Sequence, residues 1–231
     1  MGGGTGHGAG APRLARPAGP RDPDTMQDAA PPPPPVPIRD AASLIVLRRG
    51  DAGPEALMGL RGAGHRFMPN RLVFPGGAVD PDDLDAPVAA GLPPATAALL
   101  AQAAGPALVR AIGAAAAREL EEETGLSLGR PPDLSGMRYL CRAVTPAGHP
   151  VRFNARFLVV GAERIRGEIA GSGELEGLRW YGLEEALALD LALVTREVLK
   201  QFLVWLALPD AERDARRRTV VFDDRTWREE V

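Results

Sequence analysis

The segment from Pro106 to Gly125 constrains this chain most, because both ends of a helix are written into it. Gly105-Pro106 breaks the apolar run before it, and Pro106 suits a first helical turn, where its missing N–H costs nothing. Gly125 suits the left-handed position that ends a helix. The last turns read Arg118-Glu119-Leu120-Glu121-Glu122-Glu123-Thr124. At about 100° per residue, Glu119, Glu122 and Glu123 share an arc of about 100°, Glu121 falls on the far side, and Leu120 can point into a core. Like charges at this spacing repel, and the helix dipole disfavours acids at a C-terminus. Two readings follow: a solvated acidic helix end, or a site where a divalent cation removes both penalties. Hard oxygen donors suit Mg²⁺ or Mn²⁺. Arg118 can offset the charge and orient a neighbouring carboxylate.

The remaining pattern is that of a mixed sheet. Leu44-Ile45-Val46-Leu47 is a short buried strand within residues 42–48. Residues 56–61 read as its hairpin partner across the turn-forming residues 50–54. Leu72 to Phe74 forms a short strand that ends at Pro75-Gly76-Gly77. Residues 80–94 are loop-like, and residues 95–104 form a short Ala/Leu-rich helix. Strands are expected over residues 137–144, 151–160 and 175–181. In the second of these Arg152, Asn154 and Arg156 alternate with Phe153, Ala155 and Phe157. The aromatic side is expected in the core, with the Arg/Asn side facing a cleft or solvent. A helix follows from about Leu183, a longer one spans residues 190–208, and residues 219–222 could add an edge strand. Strands and helices interleave without a regular βα period, which predicts an α+β fold with helices on the faces of a mixed sheet.

Residues 1–37 are rich in Gly, Pro and Ala and read as a disordered tail. Met26 offers an alternative start. Residues 38–208 form the expected domain, with residues 84–106 as an insertion, and residues 209–231 read as a charged tail. The 231 residues carry a formal net charge of −3, which excludes the cationic excess of a nucleic-acid binder. No apolar run is long enough for a membrane span. Cys141 is the only cysteine, its neighbours suggest a buried thiol, and a reducing, cytoplasmic compartment is the expectation.

Arg118 to Leu126 resembles the second half of the Nudix box, and Phe74-Pro75-Gly76-Gly77 resembles its opening. The two halves are separated here by an insertion, since residues 84–117 lie between Asp83 and Arg118. Asp83 stands near the place of the box's first glutamate, with Asp80 and Asp82 as rivals. A split box is similar to that of the peroxisomal CoA diphosphatase branch. Thr145-Pro146, the run Arg152 to Phe157, and Gly173-Glu174-Leu175-Glu176 leading to Trp180 also resemble that branch, although Asn154 stands where it has an acid.

The resemblance implies a Nudix-like mixed β-sheet sandwiched between helices and a metal-dependent diphosphatase. Glu119, Glu122 and Glu123 would hold Mg²⁺ or Mn²⁺. Glu122 or Glu174 would serve as general base, with Glu176 as a further candidate. Gly76 and Gly77 would bring backbone against the metal helix, and Arg118 and Gly125 would support the site. Arg152 and Arg156 are candidate phosphate clamps, because guanidinium suits oxyanions; Arg66 and Arg71 are further candidates. His65 and His149 read as loop histidines, and Trp180 as a core residue. The implied partner is a small nucleotide-like molecule: CoA or acyl-CoA first, ADP-ribose or NADH as alternatives. A non-catalytic nucleotide-sensing module and a homodimer are further expectations. The insertion is expected to wall the substrate pocket.

Overall fold

The computed structural model describes residues 1–3, 35–62, 70–171 and 173–230. Most of the expected N-terminal tail, together with His65 and Arg66, lies outside the described residues. The compact unit that carries the fold begins at Pro35. No helix among the described residues is long and apolar enough to cross a membrane.

Strand β1 (Ile38–Gly50) is the centre of the sheet. It turns back into β2 (Gly53–Arg61) as the expected hairpin, with Leu47 opposite Ala56. The edge of β1 is divided. Its C-terminal part pairs with β2, and its residues 41–43 pair with the three-residue strand β4 (Gly76–Ala78). β2 pairs further with the two-residue strand β3 (Leu72–Val73) and with β7 (Leu175–Gly182). The other edge of β1 runs parallel to β6 (Arg152–Gly161), which is antiparallel to β5 (Arg138–Val144).

Helices cover both faces, as the alternation along β1 requires. Leu44 and Val46 pack with Leu57, Leu158 and Val160 against Ile112, Ala116 and Leu120 of α2 (Pro106–Thr124). Leu99 and Leu100 of α1 (Pro94–Leu100) join this layer. Ile45, Met58, Phe157 and Val159 face the other way. They pack on Val198, Leu199 and Phe202 of α4 (Leu193–Ala207) and Ala186 of α3 (Leu183–Ala188). The α2 boundaries are those read from the sequence: Pro106 opens the first turn, and Gly125 ends the helix at φ 73° with its N–H on the Glu121 carbonyl.

Two expectations change. The charged C-terminal segment is part of the fold. After α5 (Asp210–Ala215), strand β8 (Thr219–Asp223) adds in parallel to β5, and β9 (Thr226–Glu230) adds to β8. Phe222 and Trp227 pack with ring centroids 5.2 Å apart, so apolar burial holds a segment whose charge suggested a tail. The insertion lies against the acidic helix α2, as expected, but does not wall the cleft. Thr96 donates to the Met137 carbonyl at 2.9 Å, and Arg110 of α2 donates to the carbonyls of Leu84 and Ala86, each at 2.6 Å. These bonds hold it over the α2 layer.

Candidate active site

The site forms where the C-terminal half of α2 meets β4. Gly76 donates its N–H to Glu123 Oε2 at 2.8 Å. Arg61, at the end of β2, donates through Nη2 to the Gly76 carbonyl at 3.0 Å and lies 3.6 Å from Glu123 Oε1. Glu119 lies so close to Gly77 that a Cβ there would come within 2.3 Å of Glu119 Oε1. Glycine leaves room for the Glu119 carboxylate in this position.

Arg118 organises the other side. Its Nη1 donates to Glu119 Oε1 at 2.9 Å and to Glu122 Oε2 at 2.8 Å. Its Nε and Nη2 take the two oxygens of the buried Asp83 carboxylate, each at 3.0 Å, and Nη2 also reaches the Ala78 carbonyl. Asp83 is therefore a support for Arg118, and Asp80 stands 3.8 Å from the same guanidinium. The hydrogen bonds to Asp83 hold the Arg118 charge and raise its pKa.

Burial pushes the Glu123 carboxyl up to about 7. The Gly76 N–H and Arg61 oppose this, while Glu119 and Glu174 add like-charge repulsion. Burial also raises Glu119, against the pull of Arg118, with Glu122 and Glu174 adding to the rise. Glu174 is thus electrostatically in contact with both helix carboxylates from the chain entering β7. Glu176, on β7 opposite Leu60, is exposed. As the helical arc required, Glu121 turns away and pairs with Arg130.

No group of three or more His, Cys, Asp or Glu side chains among the described residues is arranged to hold an ion. The charge is nonetheless that of a cation site. Six carboxylates (Glu119, Glu122, Glu123, Glu174, Asp80 and Asp83) face two guanidiniums (Arg61 and Arg118), a formal excess of four negative charges. Arg118 Nη1 lies between the Glu119 and Glu122 oxygens, so a hard cation would have to draw these side chains off the guanidinium. The all-oxygen donor set fits such an ion.

A cleft of about 620 Å³ opens from Gly76, Gly77 and Arg61. It runs over the α4 face of the sheet, past Phe74, Phe153 and Phe157, to Thr195 and Arg225.

A NUDIX domain profile matches residues 111–202, a span that contains Arg118 to Leu126. The fold is similar to that of a NUDIX hydrolase from Alicyclobacillus acidocaldarius, with TM-score 0.56 and 25% identity over 71% of this chain and 90% of that one. Residues 111–202 thus match the NUDIX domain, and the chain is similar to Nudix hydrolases in sequence and fold. A Nudix hydrolase acts on phosphorus-containing anhydrides, and the mixed sheet between helices is the fold of these relatives. Two further structures share the fold at lower identity. The MutT protein from Methanosarcina mazei Go1 has TM-score 0.51 and 18% identity over 75% of this chain and 98% of that one. The E. coli ORF135 protein has TM-score 0.50 and 19% identity over 76% and 96%. A search among curated proteins finds no match.

Within this Nudix fold Gly76, Gly77, Arg118, Glu119, Glu122 and Glu123 come together. Arg152 and Arg156 do not join them. Arg156 is 1% exposed, ion-paired with Asp40, and donates through Nη2 to the Ala103 carbonyl at 3.1 Å. Arg152 donates to the Thr145 carbonyl at 3.1 Å. The alternation along β6 has the expected period, but the cleft lies on the aromatic side, and Arg156 faces the insertion. The insertion residues 84–106 contribute nothing to the cleft wall. Arg71 is engaged with Asp190 on the surface, and Trp180 is half-buried beneath the Arg48 guanidinium. Cys141 is fully buried, as its neighbours suggested.

Arg61 was missed. The usable signal was register: its N–H bonds the Arg71 carbonyl, so the chain that continues into Gly76 must pass beside it. Arg156→Met is expected to cost about 2 kcal/mol of stability, because Asp40 loses its partner but keeps access to water. The KM for a diphosphate substrate should stay within about twofold. Urea unfolding beside steady-state kinetics checks this, and a KM rise above tenfold would return Arg156 to substrate binding.

Proposed function

We propose that this Nudix hydrolase is a divalent-metal-dependent diphosphatase that cleaves a nucleoside diphosphate linked to a second group at the Gly76–Gly77 end of the cleft. The observation that carries the reading is the contact between β4 and α2: the Gly76 N–H on Glu123 and the Gly77 backbone against Glu119. This sets the two carboxylates behind Gly76, Gly77 and Arg61, which line the cleft. Glu119, Glu122 and Glu123 would hold Mg²⁺ or Mn²⁺. The metal would neutralise the diphosphate oxygens, which otherwise repel a nucleophile, and acidify bound water.

This chain's own residues have separate tasks. Arg61 lines the cleft beside Glu123 and offers its remaining N–H groups to a phosphate oxygen. Arg118 orients Glu119 and Glu122, which would hold the cation, while Asp83 fixes its guanidinium. Glu174 or Glu122 takes the proton of the attacking water. Glu174 is favoured because its charge acts on both Glu119 and Glu123.

A linked nucleotide such as CoA or acyl-CoA is the first substrate proposed, with ADP-ribose or NADH as alternatives. The apolar lining around Phe74 and Phe157 suits an uncharged body beyond the diphosphate. Retention of all three box glutamates argues against a sensing module. The test is a panel of CoA, acyl-CoA, ADP-ribose and NADH with Mg²⁺, with Mn²⁺, and with chelator. Hydrolysis of at least one member, abolished by chelator and restored by metal, is the expected result. Tight binding with no turnover under any metal would establish the sensing module instead.

A further inference from the structure

The cleft crosses the sheet along a row of small side chains. The paired strands follow one another in the order β4, β1, β6, β5, β8. Across them Ala78, Ala41, Ala155, Ala143 and Phe222 stand in register. Residues directly opposite in neighbouring strands share a face of the sheet. The face of this row is the one covered by α4, since Ala143, Ala155 and Phe222 pack in the same core layer as Val198 and Phe202. From Ala41 to Phe222 every member lines the cleft. Three consecutive alanines project nothing beyond Cβ, so the floor is a trough. Phe222 is the first large side chain along it.

The trough has walls and an end. On β6, Phe153 and Phe157 stand two residues to either side of Ala155, about 7 Å along the strand, on the same face. Both line the cleft, and Phe157 is braced edge-on by Phe74 at a ring-centroid distance of 6.4 Å. The end is backed from behind. The Trp227 ring lies 5.2 Å from the Phe222 ring, and Trp227 Nε1 donates to Glu197 Oε2 of α4 at 3.3 Å. No residue of β9 lines the cleft. Four strand spacings of about 4.8 Å place Phe222 about 19 Å from β4. No charged side chain belongs to the row or to its two phenylalanine walls.

We propose that this row determines which substrates fit. Ala155 and Ala143 admit a narrow, uncharged body that runs across the strands away from the diphosphate, and Phe222 limits its length. The assignment rests on the proposed diphosphate site at the Gly76–Gly77 end. A body laid along the row buries apolar surface on the alanines and between the two rings. A charge at the same place would lose its water and gain no partner from the row. A branch would meet Phe153 or Phe157. Ala41 and Phe222 lie outside residues 111–202, so this selectivity belongs to parts of the chain that the family profile does not match.

The test is calorimetric binding to the full chain in Mg²⁺ of linear alkyl esters of methylenebisphosphonate, from ethyl to tetradecyl. Their P–C–P bridge stands in for the diphosphate and resists cleavage. Affinity is expected to rise along the series by up to about fourfold per methylene, the value for full burial, and to stop rising at the member whose chain meets Phe222. Phe222→Leu, which keeps an apolar side chain against Trp227, should move this break to a longer member. Ala155→Val should weaken the chains that cross β6 by about 10-fold and leave the ethyl ester unchanged. Affinity independent of chain length, a rise without a break through tetradecyl, or a break and chain affinities unchanged in both variants overturns the row. These readings need no turnover. Failure of every diphosphate to be hydrolysed, with the break and its shift intact, therefore removes the diphosphatase and leaves the row standing.

Discussion

Glu123→Gln is expected to lower turnover on the order of 10³-fold, the scale for removing one preorganised charge stabiliser. It should also make the metal-free protein more stable than wild type above neutral pH. Both effects come from one carboxylate that is 1% exposed and is compensated, among the described residues, by the Gly76 N–H and by Arg61 at 3.6 Å. Its pKa rises from an ordinary 4.5 to about 7, so the folded state binds this proton more tightly than the unfolded state does. The resulting stabilisation is fully present below pH 4.5 and is lost as pH rises through 7. A tenfold change in proton affinity is worth about 1.4 kcal/mol, so the loss amounts to about 3 kcal/mol. Glutamine has no proton to lose and still offers an oxygen to the Gly76 N–H. Urea unfolding in chelator should show wild type weakening between pH 5 and about pH 8 while Glu123→Gln stays level. Mg²⁺ should restore wild-type stability at the upper pH and do little at pH 5, where the proton competes for the oxygen. Parallel pH profiles for the two proteins, or undiminished turnover in the variant, would remove Glu123 from the metal site.

The same residue shows how far the sequence could be read. Helix α2 was legible to the residue because proline and glycine mark its ends through backbone geometry, which acts locally. The shared arc of Glu119, Glu122 and Glu123 follows from helical period alone. Their partners do not. β4 has only Gly76, Gly77 and Ala78, with no side-chain alternation to read, and it is a strand only because β1 offers it an edge. Arg156 read as a cleft residue because its counter-ion, Asp40, is 116 positions away. Which face of β6 carries the cleft depends on where α1 and α4 dock, and period fixes only the alternation. The C-terminal hairpin looked like a tail because β9 is charged. Its burial comes from Phe222 and Trp227 meeting in the fold, a tertiary fact.

Gly76→Ala is expected to destabilise the protein by about 3 kcal/mol and to cut activity about 100-fold, whereas Gly77→Ala should cost much less stability. A Cβ at Gly76 would lie 2.5 Å from the Ala42 carbonyl oxygen and 2.6 Å from Ser43 Cα, and the residue sits at φ 154°. These obstacles are backbone atoms of β1, which is held on its other edge by parallel pairing with β6 from Ile38 to Leu47. β1 cannot yield, so β4 must move. The bonds from Leu44 N–H and the Ser43 hydroxyl to the Pro75 carbonyl then lengthen, and Gly76 leaves Glu123. The obstacle at Gly77 is the tip of the Glu119 side chain, which can rotate. Gly77→Ala therefore displaces a proposed metal ligand while leaving the sheet intact, and its loss should fall on activity and metal affinity. Chemical denaturation of the two variants beside Mg²⁺ titrations separates these outcomes. Equal stability losses at the two positions would mean that β4 is held by something other than the edge of β1, and the contact that defines the site would lose its structural basis.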